Sequence, residues 1–189
     1  MYGMINEAIK RMVTEQHGAD TWEVLASKAS AEQHYLRMSQ YPDEMTYNLV
    51  AAASAMLGAE ADAILDAFGE YWIDFASDYY DDLMAVSGDS FPELVANLNA
   101  LHIRVGQMMP ELRPPSFAVS DQEPNAFTLH YHSSRQGLEP MIIGLLRGLG
   151  RRFDTTVETT MLSRDDHAMF RVHYRANCHP EVPARHPGA

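Results

Sequence analysis

The sequence predicts an α+β domain, with helices over its first two-thirds and an antiparallel sheet in the remainder. Three observations lead there. Apolar residues recur at helical spacing as far as Gly106. Two adjacent prolines, Pro114 and Pro115, then bar any continuing helix. Beyond them lie short runs rich in β-branched and aromatic residues, interrupted by one further helical stretch.

The elements follow in chain order. Over residues 2–17, Met4, Ile5, Ala8, Ile9, Met12 and Val13 fall on one stripe, and Gly18 stops the helix. Asp20 or Thr21 is placed to cap a second helix that turns Trp22 and Leu25 inward. SQYPDE reads as a turn, with Asp43 as cap of a helix that runs to Leu57. Gly58 separates it from another helix over 59–77. After the pause SGDSFPE, Ser90 is an N-cap, Pro92 suits the first turn and Glu93 reinforces the cap. The helix starting there is expected to run through LVANLNALHIRVG to about Gly106. Strands are expected at 116–120, 126–133, 155–162 and 168–175, with a helix over 139–153 among them. The domain is expected to span 1–175. The tail 176–189, with Pro180, Pro183 and Pro187, is expected to be disordered.

Composition narrows the function classes. The chain has 189 residues, 46% hydrophobic and 21% charged, which suits one domain with a sizeable core. A formal charge of −12 argues against nucleic acid as a partner, because phosphate binding needs clustered cations. No apolar run spans a bilayer, so no membrane association is expected. The N-terminus lacks a secretory pattern, and Tyr2 stands where myristoylation requires glycine. A cytoplasmic protein is the expectation. One cysteine, Cys178, allows neither an internal disulfide nor a thiolate metal cage. Residues 1–124 carry 20 acidic and 6 basic side chains, whereas 125–189 carry 6 and 8. That asymmetry is either a solvated acidic surface or a basic part that holds an anionic ligand.

A few residues stand out chemically. His102 lies on or beside the apolar face formed by Leu94, Leu98, Leu101 and Val105. A histidine there is a hydrogen-bonded core residue or an iron ligand, since a neutral imidazole on a rigid helix in apolar surroundings suits haem. If the strand continues, alternation places Tyr131, Ser133 and Arg135 on one face, where two hydroxyls and a guanidinium would converge on carboxylates. The same alternation sends His130 and His132 to the opposite face. Pro115, thirteen residues after His102, is a connector or a rigid ring against a flat ligand. GxSxG, HExxH and phosphate-loop motifs are missing, and no enzyme is expected.

Taken together, the helical His102, the RPP segment and the Tyr-x-Ser-x-Arg motif resemble the H-NOX (haem nitric oxide/oxygen binding) family. The opening MYGMINEAI and the blocks GDSFPELVANLNALH and LHYHSSRQGLEPMIIGLLRGLG look like it too, so that the resemblance covers about residues 1–175. That family includes the haem domain of soluble guanylate cyclase and stand-alone bacterial sensors. The resemblance implies haem b as cofactor, with His102 as proximal iron ligand. It implies that Tyr131, Ser133 and Arg135 grip the propionates and that Pro115 distorts the macrocycle. The implied distal gas pocket is Ile5, Ile9, Trp72, Met141 and Leu145. Oxygen-binding members place a tyrosine hydroxyl over the gas. Here Met141 stands (Pro140 under a one-residue slip), and neither side chain donates a hydrogen bond. Nitric oxide is therefore the expected ligand, with O2 excluded and CO binding in vitro; the Trp72 indole N–H is the one donor that qualifies this. The implied role is a gas sensor that regulates a separate protein, such as a histidine kinase or a diguanylate cyclase. Weakening of the iron–His102 bond would rotate the helical part against the sheet, with Gly3 and Gly69 as hinges. Two alternatives are an oxygen-binding haem protein and a module that holds a different apolar ligand without haem.

Overall fold

The computed structural model describes residues 1–32 and 34–177. Helices come first: α1 (Gly3–His17), α2 (Ala19–Lys28), α3 (Asp43–Leu57), α4 (Ala61–Ala85), α5 (Phe91–Ala96) and α6 (Leu98–Met108). The remainder is β1 (Ser116–Glu123), β2 (Ala126–His132), α7 (Glu139–Arg152), β3 (Thr155–Ser163) and β4 (Ala168–Ala176). The strands form one antiparallel sheet in the order β1-β2-β4-β3. The α+β expectation holds.

Several local expectations give way to tertiary context. Asp20 and Thr21 are not caps: Gly18, at φ 90°, turns the chain and α2 begins at Ala19. Asp43 is the first residue of α3 rather than its cap, and Pro42 precedes it. Helix α4 runs on to Ala85, with a kink at Tyr80 (φ −132°, ψ 20°). The single helix expected around His102 is two helices. Asn97 leaves helical geometry (φ −97°, ψ 6°), and its Nδ2 donates to the Ser87 carbonyl at 2.9 Å. A short amide that bonds backbone outside its own helix is a common reason for such a break. At the C-terminal end, Ala176 closes β4, and Asn177 donates its backbone N–H to the Asp154 carbonyl at 2.9 Å. Those two residues belong to the folded domain. The rest of the expected disordered tail, with Cys178 and His179, lies outside the described residues.

Alternation along the strands sorts two faces. Phe117, Phe127, Leu129, Tyr131, Phe170 and Val172 point into a core shared with α7, α5 and the middle of α4. Ser120, Thr128, His130, His132 and Arg171 occupy the opposite face, in register across β1, β2 and β4. A second core joins α1, α2 and α3 to the first half of α4 through Ala8, Ile9, Trp22, Leu25, Leu49 and Phe68. Helix α4 thus belongs to both cores.

Its contact with α7 is the most extensive between helices. A Cβ on Gly69 would stand 2.0 Å from the Met141 carbonyl oxygen, and one on Gly144 would stand 1.8 Å from that of Asp66. The two backbones therefore touch, and only glycine fits between them. Arginines of α7 flank this seam: Arg147 bonds Glu70 at 2.7 Å and Asp66 at 3.1 Å, while Arg151 bonds Asp74 at 2.7 Å and also Glu70.

Candidate functional site

Between the sheet core and the N-terminal helices lies a cavity of ≈230 Å³. Its wall is mainly apolar: Met4, Ile5, Trp72, Leu101, Val105 and Ile142 are among the lining residues. Two places on that wall carry the polar groups anticipated from the sequence.

The first is His102, on α6. Its ring approaches Phe117 (centroids 5.9 Å), which in turn lies against Tyr131 (5.6 Å). Burial pushes the His102 imidazole below the usual histidine range. The Pro115 backbone beside the ring acts in the opposite, raising direction, but it falls short of hydrogen-bond geometry, and buried Nδ1 has no partner among the described residues. A neutral imidazole in a cavity wall keeps a nitrogen lone pair with which to coordinate a metal. Helix α6 is held to the sheet by Asn99, one turn earlier. Asn99 Nδ2 donates to the Phe117 carbonyl at 2.6 Å, and its Oδ1 accepts from the Phe117 N–H at 2.9 Å. An amide thereby satisfies the outward backbone groups of an edge strand.

The second polar entry is the end of β2. Tyr131 is only 4% exposed, and burial pushes its phenol up, opposed by the neighbouring Ser133 side chain. The strand stops at His132, one residue short of the expected end, so Ser133 and Arg135 reach the cavity from a turn rather than by strand alternation. That turn is closed by the Arg135 N–H, which donates to Ser133 Oγ at 3.0 Å. The Arg135 guanidinium donates from Nε to Asp43 at 2.8 Å and from Nη1 to the Arg113 carbonyl at 2.9 Å. Its Nη2 group has no partner among the described residues. Asp43 also takes the N-terminal ammonium. Burial opposes ionisation of this carboxyl, but the ammonium and Arg135 outweigh it and hold Asp43 below the usual carboxylate range.

The structure therefore brings His102, Pro115, Tyr131, Ser133, Arg135, Ile5, Trp72, Met141 and Leu145 to one cavity. Ile9 does not reach it. It packs in the helical core at 7% exposure, because one turn along α1 from Ile5 the helix has passed the cavity. His130 and His132 lie off the cavity, as alternation requires. Glu70 and Asp74 are engaged by α7 arginines rather than aimed at it.

Sequence reasoning missed Asn99, Phe117, Met4 and Tyr80. The Tyr80 hydroxyl lies 3.9 Å from Met4 Sδ, a weak acceptor. An asparagine one turn before the helical histidine was the available signal for the α6–β1 clamp. Nothing local marks Tyr80, whose position depends on the kink.

The residues present fit a haem. The half-buried His102 imidazole, with Nδ1 unpartnered among the described residues, stands in an apolar wall, and two hydroxyls with an incompletely used guanidinium, groups suited to hold carboxylates, line the same cavity.

A model of the haem-NO-binding family matches residues 2–161. Soluble guanylate cyclase gcy-35 of Caenorhabditis elegans is 30% identical over 168 residues, covering 83% of this chain and 24% of that protein. Soluble guanylate cyclase 89Da of Drosophila melanogaster is 26% identical over 155 residues, covering 81% and 23%. The chain thus spans about a quarter of the length of these relatives. Among solved structures, an H-NOX protein from S. oneidensis in the Fe(II)NO ligation state superposes with TM-score 0.85 at 22% identity, covering 93% of this chain and 99% of that one. An unliganded Fe(II) H-NOX protein from K. algicida gives 0.82 at 21%, covering 96% and 100%.

Proposed function

The chain belongs to the haem-NO-binding (H-NOX) family, whose members are haem-binding sensor domains, and on that premise we propose that it senses nitric oxide and reports to a separate protein. The observation that carries this reading is His102, a half-buried imidazole in the wall of an apolar cavity whose Nδ1 has no hydrogen-bond partner among the described residues. Bound there as haem b, the cofactor would supply a ferrous iron with one open coordination position for a gas.

The residues have distinct tasks. His102 offers a ring nitrogen to the iron, and its depressed basicity keeps that nitrogen unprotonated at neutral pH. Tyr131, Ser133 and Arg135 orient the macrocycle through its propionates. Pro115, which lines the same cavity, would set its rigid ring against the macrocycle. Ile5, Met141 and Leu145 exclude water and donate no hydrogen bond, and this disfavours O2, which gains from a donor, relative to NO. Asn99 ties α6 to Phe117, so displacement of His102 is passed to β1. The output is regulatory rather than catalytic, with a histidine kinase or diguanylate cyclase as the class of partner, in the cytoplasm.

One observation favours a second reading, an oxygen-binding protein. Trp72, whose indole is a potential donor, lines the cavity, and the Tyr80 hydroxyl there has only the Met4 thioether. Absorption spectra of the reduced protein alone, in air and with NO separate the two. A five-coordinate ferrous spectrum that ignores air and shifts with NO supports NO sensing. A stable oxygenated spectrum in air overturns the selectivity argument. A protein that stays colourless when supplied with haem overturns the haem reading altogether.

A further inference from the structure

On the face of the sheet away from the cavity, three histidines meet. His130 Nδ1 lies 2.9 Å from His167 Nε2, and the His132 ring stacks on that of His167 with centroids 4.1 Å apart. His130 Nε2 lies 2.8 Å from Ser120 Oγ, and Ser120 Oγ donates to Asp121 Oδ2 at 3.0 Å. His130 and His132 belong to β2 and Ser120 to β1, whereas His167 belongs to the turn between β3 and β4. The histidine contacts therefore clip that turn onto β2.

The direction of the hydrogen bonds follows from proton counting. The Asp121 carboxylate only accepts, and Ser120 has a single hydroxyl proton to give it. Ser120 Oγ therefore accepts from His130 Nε2–H. A neutral His130 then presents a lone pair at Nδ1, and His167 Nε2–H donates to it. The pair tolerates one extra proton, on the far nitrogen of His167. A second proton has to enter His130 at Nδ1, and two N–H groups would then face each other with no lone pair between them.

We propose that His130 and His167 form a proton-counting latch that releases the β3–β4 turn from β2 when both rings are charged. Imidazole is the side chain whose charge changes between about pH 5 and 8, so release belongs to mildly acidic conditions. The surrounding fixed charges are mixed, with carboxylates in excess. Asp121 faces the pair from β1, His132 from β2 and Arg171 from β4, where it donates to the Asp121 carbonyl at 3.1 Å. Arg164, Asp165 and Asp166 lie in the turn itself, and Arg135 and Glu139 stand across the adjoining polar groove. With Glu123, which pairs with Arg171, five carboxylates face three guanidiniums, and the proton count on the histidines shifts that balance. That groove has Ser133 and Arg135 on its other wall. Release of the turn consequently frees one side of the segment that carries the Tyr-x-Ser-x-Arg motif.

The test is hydrogen exchange of the purified protein, read by mass spectrometry on peptides that cover residues 161–170 and corrected for the intrinsic pH dependence of exchange. The expected result is about three- to tenfold faster corrected exchange at pH 5 than at pH 7.5, the worth of one lost hydrogen bond. His167→Gln, which does not titrate and can turn its amide N–H toward neutral His130 or its carbonyl oxygen toward charged His130, should abolish that difference. If His167→Gln does not fold, His130→Gln is read in the same way. His173→Gln, which changes an exposed histidine of β4 outside the cluster, should retain it. Equal corrected exchange at both pH values, or the wild-type difference persisting in His167→Gln, overturns the latch. Because the readout is the polypeptide, a failed latch and a failed haem assignment are distinguishable.

Discussion

Single residues carry most of the site's chemistry. His102→Ala should yield a folded protein that binds haem weakly, seen as loss of the Soret band after purification with haem supplied and as recovery on adding imidazole. Asn99→Ala removes both bonds to Phe117 and leaves an edge-strand N–H and C=O without partners. A cost of about 1–3 kcal/mol is expected, measured by urea unfolding. A cost near zero would mean that water replaces the amide fully. Asp43 has the clearest pH consequence. Its carboxyl is held below its ordinary value by the N-terminal ammonium and Arg135, so the stabilisation is present above the unfolded-state value, about pH 4, and is lost as pH falls through the lower folded-state value. With the side chain 35% exposed, the effect is discounted for solvent screening to about 1 kcal/mol. Asp43→Asn should therefore lower Tm at pH 7 and level out the wild-type decline in the acid range.

At the scale of elements, the α4–α7 seam changes the expected mechanics. Gly69 was expected to hinge a rotation of the helical part on the sheet, but it sits where α4 and α7 backbones touch. A hinge needs room for φ and ψ to change, and this contact removes it. Gly3 is similarly confined, since a Cβ there would stand 2.2 Å from the Leu36 carbonyl oxygen. Helices α4 and α7 are in backbone contact along this seam, and the α4 kink at Tyr80 lies beyond it. Gly144→Ala should cost about 3 kcal/mol or more, because carbonyl backbone rather than a flexible side chain opposes the new methyl. Arg151→Ala, which removes half-exposed ion pairs beside the same seam, should cost under about 1 kcal/mol. Thermal unfolding of both variants checks the pair. If Gly144→Ala proves as mild as Arg151→Ala, the seam is not close-packed in solution.

The two largest cores among the described residues are joined by α4, with a cavity between them. A ligand that fills the cavity and binds only the folded state must raise stability by linkage. Haem-loaded protein should therefore melt well above protein prepared without haem, by about 10 °C if haem is present at some thousandfold over its dissociation constant, since ~4 kcal/mol is then added. Equal melting temperatures would argue that the cavity is not the haem site.

How much of this was legible in the sequence divides along a physical line. Helical and strand periodicity, the Pro114–Pro115 break and the placement of His130 and His132 away from the cavity follow from local rules. The grouping of His102 with the Tyr131, Ser133 and Arg135 motif came instead from the family resemblance, and the cavity joins these residues in space. Local propensity reports a residue's own backbone and face, and those were set by covalent neighbours. It does not report what a face meets. The break at Asn97 depends on the Ser87 carbonyl, the withdrawal of Ile9 into the helical core depends on where α1 lies, and the role of Gly69 as a contact rather than a hinge depends on α7 lying against it. The His130–His167 pair joins positions 37 residues apart. The sequence by itself determined which elements form and which side chains share a face; the tertiary structure decided which faces enclose the cavity and which parts can move, because those depend on contacts between segments that no local pattern encodes.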